Sequence, residues 1–164
     1  MHQRIIRQMK LSHVLASGAI LLTAIIPAWG AEPPLVGTWR LDRQEINGQQ
    51  ANSEPMTLKV TQSGDKLTFA FSVPVNNIYF VSMSYTVKLD GSEADVKNSQ
   101  GDKVGSIRIT PGGPSQYKMV LKSPNRPESD GKLTVSPDGK TLTSEAESQQ
   151  GGRTIHSKQT FSRY

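Results

Sequence analysis

The residues able to do covalent or metal chemistry are few. The chain has no cysteine and three histidines. His2 and His13 lie close to the N-terminus, which leaves His156 for the rest of the chain. Metal sites need clustered ligands, and a single histidine without cysteine does not build a structural zinc site. No Asp-x-Asp-x-Asp-Gly spacing offers a calcium loop. Serine–histidine catalysis would have to use His156. That residue alternates in step with Lys158, Thr160 and Ser162, opposite Ile155 and Phe161, so parity places it on an outer surface. Glu145 and Glu147 have the look of a carboxylate pair for glycoside hydrolysis. They share the face away from Leu142 and Ala146, and a solvated strand edge is the simpler reading. Gly112-Gly113 and Gly151-Gly152 sit between alternating runs and read as turns, not as a phosphate loop opening a helix. The sequence therefore assigns no catalytic residue, no metal and no cofactor.

What remains is an apolar face. Phe69, Phe71, Tyr79, Met83, Tyr85, Tyr117 and Met119 all fall on the apolar side of alternating segments. Aromatic bodies with hydroxyl tips, together with pliable methionines, suit a pocket for a flat or chain-like apolar ligand. The same residues would also serve as plain core filling, because apolar pockets and packed cores share one composition. These seven are the candidate ligand-binding residues.

The elements that would position them are strands. No stretch beyond the N-terminal region shows sustained helical periodicity, whereas period-two alternation recurs. Met56, Leu58 and Val60 alternate with Thr57, Lys59 and Thr61; Leu67, Phe69, Phe71 and Val73 alternate with Thr68, Ala70 and Ser72. Tyr79, Val81, Met83, Tyr85, Val87 and Leu89 form the longest run, with Phe80 the exception on its polar face. Further strands are predicted at 37–42, 94–97, 104–110, 116–122, 132–136, 140–147 and 153–164, about ten in all. Asp90-Gly91, Asp130-Gly131 and Asp138-Gly139 are tight-hairpin dipeptides, because Asp and Gly tolerate the positive φ such turns need. Strands joined by short turns make an antiparallel meander, and about ten of them with one apolar face close on themselves, since closure removes exposed edges. The expected fold is an all-β, antiparallel, up-and-down barrel of about 8–10 strands. A two-sheet β-sandwich is the alternative that alternation alone leaves open.

The first 30 residues are expected to be a secretory signal. Arg4, Arg7 and Lys10 precede an apolar run from Val14 to Ile26, and Ala28 and Gly30 supply small residues at the exit. The run is shorter than the ~20 residues that span a bilayer. The expected domains are 1–30, a cleaved signal peptide, and 31–164, a single barrel domain working in the periplasm or outside the cell, with no membrane span after cleavage. The formal charge of +5 then misleads: without Arg4, Arg7 and Lys10, 16 of the 19 basic residues face 14 acidic ones. With no run of Lys or Arg, nucleic acid is not an expected partner.

The segment Leu35-Val36-Gly37-Thr38-Trp39-Arg40-Leu41 and the terminal Phe161-Ser162-Arg163-Tyr164 resemble the calycin superfamily, the lipocalins and fatty-acid-binding proteins. The chain is most similar to small secreted bacterial lipocalin-like proteins, which share the Gly-Thr-Trp opening and an Asp-Gly-Lys-Thr-Leu-Thr hairpin, here Asp138 to Thr143. The resemblance implies that Trp39 plugs the closed end of the barrel and that Arg163, on the last strand, lies across it. Parity agrees: Gly37, Trp39 and Leu41 share one face, as do Ile155, Ser157, Gln159, Phe161 and Arg163, and an indole face partners a guanidinium through cation–π contact. Fatty-acid-binding proteins place a helical lid after the first strand. Here Arg43 to Glu54 is polar and Gln-rich, and predicts a loop or one short helix. Those proteins also hold a ligand carboxylate with an Arg-x-Tyr pair. Arg163-Tyr164 are adjacent, hence on opposite faces, and do not reproduce it.

The resemblance implies a non-catalytic carrier of a small hydrophobic molecule, lipid-like or flat aromatic, with tyrosine hydroxyls orienting its polar end. The alternative is a protein-interaction module, such as a secreted protease inhibitor, contacting a partner through Ala31-Glu32-Pro33-Pro34 or through loops at Pro111 and Pro124. A cavity above ~300 Å³ would favour the carrier, and a filled interior the interaction module.

Overall fold

Each alternating segment forms a strand, and their apolar alternates meet in a common core. The computed structural model describes residues 33–164, so the segment read as a signal peptide lies outside the described residues. The strands are β1 (Gly37–Ile46), β2 (Gln49–Ala51), β3 (Thr57–Ser63), β4 (Lys66–Val75), β5 (Ile78–Lys88) and β6 (Ala94–Asn98). They continue with β7 (Lys103–Gly113), β8 (Gln116–Lys122), β9 (Ser129–Val135), β10 (Thr141–Gln150) and β11 (Arg153–Arg163). From β3 to β11 each strand pairs antiparallel with the next, and β11 returns to β1 with Trp39 opposite Arg163 and Leu41 opposite Phe161. The sheet is closed, which decides for the barrel over the sandwich. Of the 11 strands, β2 pairs only with the end of β1, so ten form the wall.

The stretch expected as a loop or short helix is a hairpin over most of its length, with loop only from Asn52 to Glu54. β1 runs on to Ile46 because β11 offers it a partner throughout, Gln44 opposite Gln159 and Glu45 opposite Lys158. Asn47 and Gly48, at φ 51° and 78°, then make a tight turn into β2, the Asn-Gly geometry favoured in two-residue hairpins. Among the described residues there is no helix, so no helical lid covers this end.

Two of the four register shifts in the sheet reverse the side-chain alternation near the cavity. In β1 the register passes from Leu41–Phe161 to Arg43–Thr160, which leaves Asp42 as an extra residue. Beyond it Arg43 and Glu45 face outward, joined at 2.9 Å, and Gln44 faces the lumen. In β5 the register passes from Phe71–Met83 to Ser72–Val81, leaving Ser82 extra, its hydroxyl donating to the Phe71 carbonyl at 3.2 Å. An inserted residue shifts everything beyond it to the opposite face.

The buried core fills the half of the barrel nearest the chain ends: Leu35, Trp39, Val60, Leu67, Phe69, Ile109, Leu142 and Phe161 are all but inaccessible. Toward the other end the wall residues shrink. Met119 stands opposite Gly131, Gly131 opposite Ala146, and Ala146 opposite Ser157. A Cβ on Gly131 would overlap the Met119 side chain, so the glycine is what admits that methionine.

Candidate ligand cavity

Because small side chains line one level of the wall, a cavity of about 230 Å³ remains inside the barrel. One side of it is apolar: Phe69 and Phe71 on β4, Met83 and Tyr85 on β5, Met119 and Leu121 on β8. Leu58, Leu142 and Phe161 are among its other apolar lining residues. The opposite side is polar and uncharged. Gln44 on β1, Gln159 on β11 and Ser144 on β10 are consecutive register neighbours, with Ser157 the next inward residue toward the open end. A larger hollow of about 570 Å³ lies on the outer face over β9–β11. It is walled by exposed ion pairs, Lys132 and Lys158 at 3.3 and 3.5 Å from Glu145, and gives no shelter from water.

Five of the seven expected residues line the cavity: Phe69, Phe71, Met83, Tyr85 and Met119. Tyr117 is buried as expected but does not line the cavity; it stands opposite Leu133 and Pro111 in the wall. Tyr79 does not point inward. The Ser82 bulge reverses its face, and the tip of the β4–β5 hairpin outruns both neighbours, since β3 pairs with β4 only as far as Ser72 and β6 with β5 only at Met83 and Ser84. Tyr79 is accordingly 51% exposed. The polar lining residues were not singled out in the sequence. Ser157 and Gln159 were readable from their parity with Phe161, whereas Gln44 was hidden by the bulge at Asp42.

Tyr85 stacks on Phe69 with ring centroids 4.8 Å apart and tilts against Phe71 at 6.0 Å. Burial pushes its hydroxyl pKa well above the ordinary tyrosine value, because the phenolate would lose its water. The group is therefore a neutral donor. Burial raises Tyr117 in the same way.

Below the core the barrel is sewn shut. The Arg163 guanidinium lies 4.2 Å from the Trp39 ring centroid. It donates to the carbonyls of Gly139, Val36 and Pro34 at 2.6, 2.8 and 2.9 Å. The indole Nε1 donates to the Leu35 carbonyl at 2.9 Å. Gly37 is required beneath it, since its φ is 143° and a Cβ would overlap the guanidinium. Ser136 donates to Asp138 at 2.6 Å and the Lys140 amide donates to the same oxygen at 3.0 Å, holding the Asp138 carboxyl below its usual range and shaping the turn that presents Gly139.

The remaining candidates fall outside. His156 is on the outer surface, its Nδ1 3.1 Å from Glu147, with Glu145 on the same outer face. Of the expected protein-contact segments, Ala31 and Glu32 lie outside the described residues. Pro33 and Pro34 lie at the sewn end, their carbonyls accepting from Val36 and Arg163. Pro111 lies within β7, not in a loop, paired with Tyr117; Pro124 is in the loop between β8 and β9. Most of the exposed large apolar residues lie instead on the β4–β5 hairpin, with Val75, Ile78, Tyr79, Phe80 and Val81 between 44% and 60% exposed. Among the described residues no helix is long and apolar enough to cross a membrane.

The structure is similar to the crystal structure of zebrafish ileal bile acid-binding protein complexed with cholic acid. The TM-score is 0.56 and the identity 17%, over 80% of this chain and 99% of that one. The likeness is one of fold, a closed antiparallel β-barrel. No protein-family model matches the sequence, and no curated protein matches it.

Proposed function

We propose that the protein is a non-catalytic binding protein that holds one small hydrophobic molecule inside the barrel, in the periplasm or outside the cell. The observation that carries this reading is the partly enclosed cavity of about 230 Å³, apolar on one side and hydrogen-bonding on the other. It is neither filled nor as large as the ~300 Å³ at which drug-sized pockets begin, so the occupant is compact. Its apolar surface lies against Phe69, Phe71 and Met119, and its polar edge against Gln44, Gln159 and Ser144 on the opposite side. The bile acid-binding neighbour supports the reading at the level of the fold. The basic, apolar N-terminal segment supports export.

The test is a titration with the neutral fluorescent probe N-phenyl-1-naphthylamine. Saturable binding is expected, and Ser144→Leu, which grows into the cavity, should weaken it about tenfold or more while leaving the melting temperature within a few degrees. Equal binding by that variant would remove the reading.

A second reading, a protein-interaction module, is favoured by the exposed apolar β4–β5 hairpin. A photoreactive residue at position 80, incorporated in the native host, should then yield one discrete protein adduct. A smear or no adduct counts against it.

A further inference from the structure

We infer that the cavity selects an electrically neutral ligand, a compact apolar molecule edged with an amide, alcohol or similar uncharged hydrogen-bonding group, and discriminates against carboxylates and amines. This rests on the reading that the cavity is a ligand site.

The Asp42 bulge is the device that sets the charge. Without it, alternation from Trp39 and Leu41 would carry Arg43 and Glu45 into the lumen. With it, both charges face water, paired to each other, and Gln44 takes the inward position beside Gln159. Among the described residues, none that lines the cavity is charged. Arg163, a cation that a carboxylate could seek inside such a barrel, is at the sewn end and committed to three carbonyls and the indole. An ion entering the cavity would exchange its water for no opposite charge, which is unfavourable for either sign.

The positive side of the selection is the polar wall. Gln44 and Gln159 each present one amide, donor and acceptor together, at the cavity wall. Tyr85, only 6% exposed and lining the same cavity, offers a hydroxyl that stays protonated. Groups of this kind, half-buried in the barrel wall, favour an occupant that pairs with them over one that cannot. Their combination, neutral donors and acceptors facing a stack of aromatic rings, matches a flat molecule with an uncharged polar edge.

The experiment compares one skeleton in four forms by calorimetry at neutral pH: naphthalene, 2-naphthamide, 2-naphthoate and 2-naphthylmethylammonium. The amide should bind about tenfold or more tighter than either ion, and tighter than naphthalene itself. Gln159→Leu conserves volume and should erase the advantage of the amide over naphthalene, read as the ratio of the two affinities within that variant. Naphthoate binding as tightly as the amide, or an amide preference untouched in Gln159→Leu, overturns the inference and leaves the carrier reading standing. If no form binds, naphthalene included, the carrier reading itself fails and the inference with it.

Discussion

At the end where β1 begins and β11 finishes, Trp39, Arg163, Leu35, Gly37 and the Asp138 turn are tied together by an indole hydrogen bond, three guanidinium hydrogen bonds and a cation–π contact. At the opposite end the wall loosens. β5 holds β6 at only two register pairs, small residues replace large ones across β9, β10 and β11, and the β4–β5 hairpin stands clear of its neighbours. The difference assigns work to each half. The hydrogen bonds and the cation–π contact around the tryptophan tie one half together, and room for a ligand is left where packing is thin. A barrel closed equally well at both ends would be a core and nothing more.

The sharpest way to break this contrast is to remove the plug. Trp39 is fully buried, and Trp39→Ala should destabilise the fold by about 3–5 kcal/mol in urea unfolding. A loss under about 1 kcal/mol would mean that the sewn end is not where stability resides. Arg163→Met keeps much of the side chain's length but deletes the cation and its donors. It should cost about 2 kcal/mol, since one cation–π contact and hydrogen bonds to three partly solvated carbonyls are lost. Probe binding in the cavity should hardly change. A strong loss of binding in Arg163→Met would show that the two ends are coupled.

The contrast was only half legible in the sequence. Trp39, Phe161 and Arg163 could be paired because their strands keep period two without interruption between them and the chain ends. Phe69, Phe71, Met83 and Tyr85 were legible for the same reason, all lying on the core side of their bulge. What alternation conceals is an inserted residue. Asp42 and Ser82 look like any other strand residue, yet each reverses the face of everything beyond it, so Gln44 was missed and Tyr79 misplaced. The exposure of the hairpin was hidden differently: it follows from β3 and β6 being too short to cover it, a relation between strands and not a pattern within one. The cavity depends on Gly131, Ala146 and Ser157 falling side by side, which only the register reveals.

Between the two ends sits Tyr85, at the boundary of core and cavity, and pH probes to which half it belongs. Its folded-state pKa lies above the unfolded value of ~10. The stability it contributes is therefore fully present below about pH 10 and is lost as the pH rises from there toward the folded pKa. Urea midpoints should be flat with respect to this group through neutrality and fall above about pH 10. Tyr85→Phe should flatten that alkaline fall and remove part of the late phenolate signal near ~295 nm. An unchanged alkaline profile would place the hydroxyl in water, and the cavity would then be wetter and less discriminating than its lining implies.

The smallest effect is expected at the loose end, and its smallness is what matters. Ile78 and Phe80 are 60% and 53% exposed on the hairpin tip. Ile78→Thr and Phe80→Thr keep β-branched or strand-compatible side chains there, and should each change stability by no more than about 0.5 kcal/mol. Binding of 2-naphthamide should also stay within about twofold, because neither residue lines the cavity. A protein partner docked on the hairpin would instead be lost. If either substitution costs more than about 1 kcal/mol, the hairpin packs against the barrel in solution, and the open end is less open than the contrast requires. Should stability hold but naphthamide binding collapse, the hairpin reaches over the cavity when a ligand is present, and the apolar tip serves the ligand, not a partner.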